Sequence, residues 1–275
     1  MIQPKKSLGQ NFLRSDRALR EIVDAGHIRP NDIVLEVGPG EGVLTRRLFD
    51  KGATVIAVEK DDRLIDILEQ TFEKEIKNKT VHLVHGDILD PQVKKRIVSL
   101  GCREGEYLFI ANIPYYITGM IFRVFLDEGP RPKTLVLLVQ REVADQIVAR
   151  NGKGSILSHA VSVYGVPDVV ARVPRGAFVP MPSVDSAILR VARITDPFSN
   201  DAERTNFFDV LKTGFSSKRK QLINTLSAGK LGLTKQDVAG ILEKLSIHPS
   251  ARPEDLTTKQ WAKIAQLVQK NRNLE

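Results

Sequence analysis

An α/β fold, with a largely parallel sheet followed by a smaller helical region, is predicted by three features of the sequence. The first is that short apolar runs alternate with helix-like patterns from residue 33 onward, as in repeated strand-helix units. The parallel strands are expected at Ile33–Val37, Val55–Val58, Val81–Val84, Leu108–Ala111 and Leu135–Val139. Helices are expected to begin between them, near Gly42, Asp61, Pro91, Thr118 and Arg141. The second feature is a pair of later runs with much shorter connections, expected to close the sheet as an antiparallel hairpin: Ser158–Tyr164 and Ser186–Val191.

The third feature is a change of composition after Ile194. Residues 196–200 combine Asp, Pro, Ser and Asn, which is typical of a linker, and the rest of the chain has helical patterns broken at glycine and proline. A chain of 275 residues is long enough for about two domains. We therefore expect one domain over residues 1–195, with residues 1–31 as an N-terminal extension, and a helical domain over residues 196–275.

The composition excludes several classes of protein. With 42% apolar and 27% charged residues, the chain is neither disordered nor fibrous. Its longest aliphatic run, Leu135–Val139, is far shorter than the ~20 residues of a membrane span, and no apolar segment follows Lys5 and Lys6. We expect a cytoplasmic protein. The single cysteine, Cys102, excludes an internal disulfide, and the five histidines have no metal-binding spacing, so no metal is expected.

The charge is unevenly distributed. The chain has 41 Lys and Arg against 33 Asp and Glu, and residues 201–275 alone have 13 against 8. A basic end favours an anionic partner, of which nucleic acid is the commonest. Lys218, Arg219 and Lys220, on a helix expected to start near Phe215, are the candidates for contacts to RNA phosphates. An ordinary solvated helix face is the alternative interpretation.

A glycine-rich loop, Glu36–Gly42, follows the first predicted strand. Glycine lets the backbone turn tightly and approach a ligand, and the helix that follows offers free N–H groups. A dinucleotide fingerprint would have its third glycine at position 43, which is valine. Three alternate glycines after an acidic residue suit S-adenosylmethionine, which has no phosphate, although a turn that serves packing alone is the alternative. We expect Gly38 and Gly40 to border this methyl donor.

Acidic residues follow the next two predicted strands. Glu59 ends the second strand, where its carboxylate can accept hydrogen bonds from both hydroxyls of a ribose. Asp87 follows the third strand, where it can accept from an adenine amino group while Ile88 packs against the ring. Acidic residues at strand ends are often only solvated. Three consecutive strand ends with suitable chemistry nevertheless favour an adenosine site.

The fourth predicted strand ends in Ala111–Tyr116, at the same edge of the sheet. Adenine N6 is a poor nucleophile because its lone pair is delocalised into the ring, and positive charge develops on it during methyl transfer. The Asn112 side-chain oxygen and the backbone carbonyl of Pro114 or Ile113 can accept its two N–H bonds and stabilise that charge. Tyr115 offers a flat face for a base removed from its helix. A turn closed by an aromatic residue is the alternative.

Seven motifs, spread over nearly the whole chain, carry a family resemblance. They are Gln10–Leu13, Glu36–Gly42, Gly86–Asp87, Asn112–Tyr115, Phe178–Ser186, Gly214–Leu222 and Arg252–Leu256. In this order they resemble the ribosomal RNA adenine N6-dimethyltransferases, and the last two are similar to the small-subunit branch, the KsgA/RsmA enzymes, rather than to the Erm enzymes. The departures are mild: Ile113 stands where leucine is more usual, and Lys218–Lys220 replaces a related basic run.

The resemblance implies a Rossmann-like S-adenosylmethionine-dependent methyltransferase sheet with helices on both faces, plus a small C-terminal helical domain that binds RNA. It implies a donor site lined by Asn11, Leu13, Gly38, Glu59, Asp87 and Asn112. Asn112 and Tyr115 would hold the target adenine, with Phe178 as a second stacking surface. The implied reaction gives N6,N6-dimethyladenine at two adjacent adenines in a hairpin near the 3′ end of small-subunit ribosomal RNA, during ribosome assembly, by a monomeric protein.

Two other functions remain open at this point. A ribosome-assembly or transcription factor of the same fold would bind RNA or DNA without catalysis, but the intact Asn112 and Tyr115 favour an enzyme. A methyltransferase for small molecules would leave the basic C-terminal region unexplained. Donor binding paired with methyl transfer tests the first alternative, and salt-dependent RNA binding tests the second.

Overall fold

Two compact units make up the computed structural model, which describes residues 3, 5, 8–217 and 219–272. The first unit comprises residues 1–144 and 165–195, and the second comprises residues 145–164 and 196–275. The single boundary predicted at residue 195 therefore differs from the structure for residues 145–164. This segment contributes Val163 to the apolar core of the second unit, which a search for linker-like composition could not detect.

The first unit is built on a seven-stranded mixed sheet. The described strands of this unit are β1 (Phe12–Leu13), β2 (Ile33–Val37), β3 (Thr54–Glu59), β4 (Val81–His85), β5 (Tyr107–Ala111), β6 (Thr134–Gln140), β7 (Val166–Val173), β8 (Phe178–Val179) and β9 (Ser186–Ala192). Strands β1 and β8 form a separate two-stranded sheet, and the other seven form the mixed sheet. The order in the sheet is β4-β3-β2-β5-β6-β9-β7. The five strands from β2 to β6 run parallel to one another, whereas β9 runs antiparallel to both β6 and β7. The α/β class with a largely parallel sheet is confirmed.

Twelve α-helices are present in the described part of the chain. They are α1 (Asp16–Ala25), α2 (Val43–Asp50), α3 (Asp62–Thr71), α4 (Glu73–Lys77), α5 (Pro91–Ser99), α6 (Thr118–Phe122), α7 (Arg141–Ile147), α8 (Ile156–Ser162), α9 (Asp201–Gly214), α10 (Leu222–Ala228), α11 (Lys235–Lys244) and α12 (Thr258–Arg272). Asp61 and Asp90 cap α3 and α5 through their side chains, which explains where these helices begin. None of the described helices is long and apolar enough to cross a membrane.

The strand order places a crevice between two particular strands. From β2 the chain proceeds outward through β3 and β4 on one side, and it then returns to the other side for β5 and β6. Ligands of open α/β sheets bind beyond the carboxyl ends of the strands, at the point where this order reverses. The loops that follow β2 and β5 meet there, and they are the two loops that carry the predicted glycine and asparagine motifs.

The strand predicted at Ser158–Tyr164 is wrong, because most of this segment forms α8. The Ser155 side chain accepts a hydrogen bond from the Ser158 backbone N–H, and the Ser158 hydroxyl accepts one from the Ser155 N–H. This reciprocal cap starts a helix and outweighs the strand preference of the later valines. The hairpin partner of β9 is instead β7, which is an edge strand and therefore tolerates Pro167.

The second unit has its own apolar core among the helices α9 to α12. Buried side chains that build it include Phe207, Leu211, Leu222, Leu226, Trp261, Ile264 and Val268. The helix expected to start near Phe215 differs from the structure, since α9 already ends at Gly214 and α10 begins at Leu222. A Cβ at Gly214 would lie 2.2 Å from the Trp261 ring, so the glycine allows close packing of α9 and α12.

Candidate functional site

One pocket gathers most of the predicted site residues at the carboxyl ends of the parallel strands. Its lining includes all eight residues predicted for the donor and three of the four predicted for the target base, with Asn112 in both sets: Asn11, Leu13, Gly38, Gly40, Glu59, Asp87, Ile88, Asn112, Pro114 and Tyr115. The exception is Phe178. The sequence motifs therefore converge on one place in the fold, although the ligand contacts of each residue stay predictions.

The glycine loop after β2 borders the pocket with its backbone. Gly38 and Gly40 have φ angles of +70° and +61°, which L side chains rarely adopt. A Cβ at Gly38 would have only the Asn112 carbonyl oxygen nearby, at 3.8 Å, whereas a Cβ at Gly40 would lie 3.1 Å from the Phe12 ring. Gly38 thus faces open space, and Gly40 allows Phe12 to pack closely on the loop.

Glu59 holds the loop and the end of β3 together. Its Oε2 accepts a hydrogen bond from the Gly40 N–H at 3.2 Å, and its Oε1 accepts from the N–H groups of Lys60 and Asp61, both at 2.9 Å. Burial raises the pKa of this carboxyl, and the three backbone donors oppose that shift. An ionised carboxylate has about four acceptor positions. One therefore remains, so only one ribose hydroxyl can bind without displacing a backbone donor.

Glu36, on the central strand β2, also lines the pocket, although it is not among the site residues predicted from the sequence. It is 1% exposed, and its Oε2 accepts a hydrogen bond from the Thr45 hydroxyl at 2.6 Å. Burial raises the pKa of Glu36 to about 8, with the Thr45 hydrogen bond opposing the shift. Its position two residues before Gly38 is the signal that could have identified it. A buried acid there can meet a cationic group of a ligand.

Asp87 is engaged on both oxygens at the end of β4. Its Oδ2 pairs with the Lys60 ammonium at 2.7 Å, and its Oδ1 accepts from the Leu89 N–H at 3.0 Å. Partial burial opposes the change, but these partners hold the pKa of Asp87 below its usual range. Ile88 is buried beside it. A carboxylate next to an apolar side chain suits one edge and one face of a purine, as the sequence predicts.

The Asn112 side chain has a defined orientation. Its Nδ2 donates to the Asn11 backbone carbonyl at 3.2 Å, which leaves Oδ1 without a hydrogen-bond partner among the described residues. The Pro114 carbonyl accepts from the Ile117 N–H at 3.2 Å in a short 3₁₀ turn. Because a carbonyl oxygen has two lone pairs, it can still accept a second bond. Two acceptors on one loop can therefore receive the two N–H bonds of a primary amine.

The two aromatic residues predicted to stack on the base differ in their placement. The Tyr115 ring is half-buried at the pocket, and its hydroxyl makes a 2.6 Å hydrogen bond with the Ser186 hydroxyl. Phe178 is 2% exposed, pairs with Leu13 between β1 and β8, and belongs to the apolar core. A base could reach its face only after the ring or the strand moved, so the stacking role of Phe178 stays a prediction.

The described part of the basic run, Arg219 and Lys220, lies in the second unit on a turn rather than on a helix. Lys218 is outside the described residues, while Arg219 and Lys220 are exposed between α9 and α10. Lys220 lines an open cleft of about 550 Å³ together with Lys212, Lys230, Thr213 and Ser216. Lysines and hydroxyl side chains around one cleft suit a phosphate backbone.

Within the described residues, no group of three or more His, Cys, Asp and Glu side chains is arranged to hold a metal ion. Cys102 is buried, and burial raises the pKa of its thiol to about 12, which keeps it protonated.

Known proteins match this chain over almost its whole length. Residues 1–270 match the family model described as "Ribosomal RNA adenine dimethylase". The chain is 40% identical over 263 residues to "Ribosomal RNA small subunit methyltransferase A" of Dehalococcoides mccartyi (strain BAV1), covering 96% of this chain and 88% of the relative. It is 38% identical to the protein of the same name from Enterococcus faecalis, with 98% and 91% covered.

Solved structures give the same result. A dimethyladenosine transferase from Plasmodium falciparum has a TM-score of 0.79 at 26% identity, with 95% of this chain and 98% of that chain covered. The 23S rRNA methyltransferase ErmE has a TM-score of 0.74 at 26% identity, with 94% and 100% covered. With its motifs, its fold and the full-length match in agreement, the chain belongs to the ribosomal RNA adenine dimethylase family.

Proposed function

We propose that this protein transfers methyl groups from S-adenosylmethionine to N6 of two adjacent adenines in a hairpin near the 3′ end of small-subunit ribosomal RNA, giving N6,N6-dimethyladenine during ribosome assembly in the cytoplasm. The observation that carries the proposal is the loop after β5, where Asn112 Oδ1 has no hydrogen-bond partner in the described part of the chain and the Pro114 carbonyl follows two residues later, both residues lining one pocket with the glycine loop. The names of the relatives, which specify the small subunit and dimethyladenosine, support the substrate.

The lining of the pocket supports S-adenosylmethionine as the methyl donor. The open space at Gly38 leaves room for a ligand against bare backbone, and the free acceptor position of Glu59 suits a ribose hydroxyl. Asp87 and Ile88 would receive the adenine of the donor. The buried Glu36 carboxyl would accept a hydrogen bond from the ammonium of the donor's amino acid end, and that positive charge would favour the ionised form against the raised pKa. Asn11 and Leu13 would cover the donor from the N-terminal side.

The chain's own residues would make the target amine reactive. When bound, S-adenosylmethionine supplies an electrophilic methyl group. Asn112 Oδ1 and the Pro114 carbonyl would accept hydrogen bonds from the two N–H groups of N6. These bonds would localise the lone pair of N6 and stabilise the positive charge that develops on the nitrogen. Each transfer forms one N–C bond, breaks the S–CH₃ bond of the donor, whose sulfur leaves as a neutral thioether, and releases one N6 proton to solvent. Tyr115 would hold the base by stacking.

The second unit would bind the RNA through its backbone. Arg219 and Lys220, with Lys218 beside them in the sequence, would contact phosphates, which positions the hairpin without reading its bases. The alternative function considered from the sequence is a factor that binds nucleic acid without catalysis. It gains no support, because both hydrogen-bond acceptors proposed for the target amine, Asn112 Oδ1 and the Pro114 carbonyl, are present on the loop after β5. No metal takes part in the proposed reaction, and we propose that the protein acts as a monomer.

The test compares ribosomal RNA from cells with and without the gene. N6,N6-dimethyladenine is mapped in both subunits, and the undermethylated small-subunit particles are then treated with purified protein and labelled S-adenosylmethionine. We expect the modification at two adjacent adenines near the 3′ end of the small-subunit RNA only when the protein is present. Label in large-subunit RNA instead, or methylation that persists without the gene, would contradict the proposed substrate.

A further inference from the structure

An N-terminal strap, defined here as residues 8–13, lies along the pocket, and all six of its residues line it. One end of the strap is fixed by strand pairing. Phe12 pairs with Val179 and Leu13 pairs with Phe178 in the two-stranded sheet, and the Arg14 N–H donates to the Ala177 carbonyl at 2.8 Å. The strap is thus anchored to the first unit on its C-terminal side.

Asp61 fixes the other end. Its Oδ2 accepts a hydrogen bond from the Gln10 side-chain amide at 2.9 Å, and its Oδ1 accepts one from the Lys5 ammonium at 3.3 Å. The Gln10 amide oxygen in turn accepts from the Lys5 backbone N–H at 2.8 Å. Asp61 is 1% exposed. A carboxylate so deeply buried is stable only when its oxygens are paired, and here part of that pairing comes from the strap.

Asp61 is itself rigidly placed. The Arg63 guanidinium makes two hydrogen bonds to it, Nη2 to Oδ2 at 2.7 Å and Nε to Oδ1 at 3.0 Å. Its backbone N–H donates to Glu59 Oε1. The Arg63 hydrogen bonds hold the pKa of Asp61 well below its usual range, so the side chain is ionised at neutral pH. The strap is therefore latched to a fixed negative charge.

Asn11 lies between the two anchors. Its backbone carbonyl is the acceptor for Asn112 Nδ2, and its own Nδ2 donates to the Gly9 carbonyl at 3.2 Å. The carbonyl can hold the Asn112 amide in one orientation only if the strap on both sides is fixed. Gln10 is the residue next to it, and Gln10 is the residue that Asp61 binds.

We propose that Asp61 is a positioning residue for methyl transfer: it holds the strap through Gln10 and Lys5 so that the Asn11 carbonyl keeps Asn112 Oδ1 turned toward the target amine. The inference rests on the proposed function of Asn112. Asp61 is not a catalytic residue, because it does not line the pocket. Its effect is transmitted along the backbone from residue 10 to residue 11 and then through one hydrogen bond.

Three substitutions separate the role of Asp61 in holding the strap from its role as the cap of α3. Asp61 also caps α3 by accepting from the Arg63 N–H at 3.3 Å, and asparagine is an equally good cap. Asp61→Asn therefore keeps the cap and the size while removing the charge. Gln10→Ala releases the strap without touching α3. Asp62→Asn is the matched control, since Asp62 is the next residue, is 84% exposed on its side chain and pairs with His85 instead.

The first readout is independent of activity. Hydrogen exchange of the strap amides at residues 11–13 is followed in the full-length protein without donor or RNA. We expect exchange to be faster in Asp61→Asn and Gln10→Ala and unchanged in Asp62→Asn. Unchanged exchange in both strap variants would overturn the latch.

The second readout is a double-mutant cycle on the transfer rate with undermethylated small-subunit particles. We expect Asp61→Asn to lower kcat about tenfold or more with a smaller effect on donor Kd, as for a misplaced reacting group. In the Asn112→Ala background the same substitution should change kcat less than about twofold. An equal loss in both backgrounds would overturn the positioning role alone. A wild-type rate for Asn112→Ala would instead contradict the proposed function, and with it the route from Asp61 through Asn112.

Discussion

Glu59 accepts a hydrogen bond from the backbone N–H of Gly40, 19 residues earlier, and so joins the end of β3 to the glycine loop after β2. The glycine loop and Glu59, which the sequence predicts separately as parts of the methyl-donor site, are therefore joined by a hydrogen bond. Substitution of either residue therefore affects the other, and this coupling decides which variants test donor binding cleanly.

Glu59→Gln should weaken S-adenosylmethionine binding. The amide keeps one acceptor oxygen for the backbone but loses the charge that a ribose hydroxyl would meet, a difference of about 1 to 1.5 kcal/mol, or roughly five- to tenfold in Kd. Calorimetry on the folded protein measures this. Glu69→Gln, on the exposed face of α3, removes the same charge as a control. Equal affinities for Glu59→Gln and Glu69→Gln would exclude the ribose role.

Gly38→Ala is a sharper test of the glycine loop than any change at Gly40. A side chain at Gly40 meets Phe12 of the strap, so its effect cannot be assigned to the donor alone. At Gly38 the added methyl group points into open space and costs about 1 to 2 kcal/mol for the positive φ. We expect this modest loss of stability in denaturant unfolding and a much larger loss of donor affinity. Donor affinity within twofold of wild type would place the donor elsewhere.

Tyr115→Phe should separate stability from catalysis. The variant keeps the ring face but leaves the buried Ser186 hydroxyl without its partner, which costs about 1 to 3 kcal/mol of unfolding free energy. Adding Ser186→Ala should recover most of that loss, because both polar groups are then gone. Transfer rates of both variants should stay near wild type, whereas Tyr115→Ala loses about 1 to 3 kcal/mol of base stacking. A strong rate defect in Tyr115→Phe would assign the hydroxyl a chemical role.

The buried His159 of the second unit predicts a pH dependence of stability. Burial lowers its pKa from 6.5 to about 4, so the unfolded chain binds a proton between these values that the folded chain does not. The stabilisation from the neutral ring is present above about pH 6.5 and is lost as the pH falls to about 4, by up to about 3 kcal/mol. We expect the difference in unfolding free energy between wild type and His159→Gln to shrink over this range. A difference independent of pH, or the same trend in the exposed His248→Gln, would contradict it.

The triple variant Lys218→Ala, Arg219→Ala, Lys220→Ala should bind structured RNA more weakly whatever its sequence, with donor affinity unchanged. The slope of log affinity against log salt concentration is negative, and each lost phosphate contact should reduce its magnitude by about 0.7 to 0.9. The control removes three exposed lysines of the same unit, Lys235, Lys244 and Lys259. An unchanged slope in the first variant would move the RNA contacts elsewhere, beginning with Lys5, Lys6 and Arg14.

The sheet was predictable because four of its parallel strands, β2, β3, β5 and β6, are buried along most of their length and are therefore largely apolar runs. The edge strand β4 is only partly buried and includes His82 and His85. The error at residues 158–164 arose because a local cap, Ser155 with Ser158, overrode β-branched residues. At the site, the motifs predicted which residues meet, since strand ends converge at one edge. The hydrogen bond from Asn112 to Asn11 joins residues 101 positions apart and leaves no periodic signal, nor does the latch of Gln10 on Asp61. The burial of Phe178 likewise depends on its pairing with β1.

The most direct test of the account is the single-turnover rate of methyl transfer by Asn112→Ala on undermethylated small-subunit particles, measured beside its RNA affinity. The amide is proposed to act on charge that develops only in the transition state, so the rate should fall about 100- to 1000-fold while RNA affinity stays within about threefold of wild type. Dimethylation by Asn112→Ala at a rate near wild type would contradict the proposed polarisation of the adenine amine.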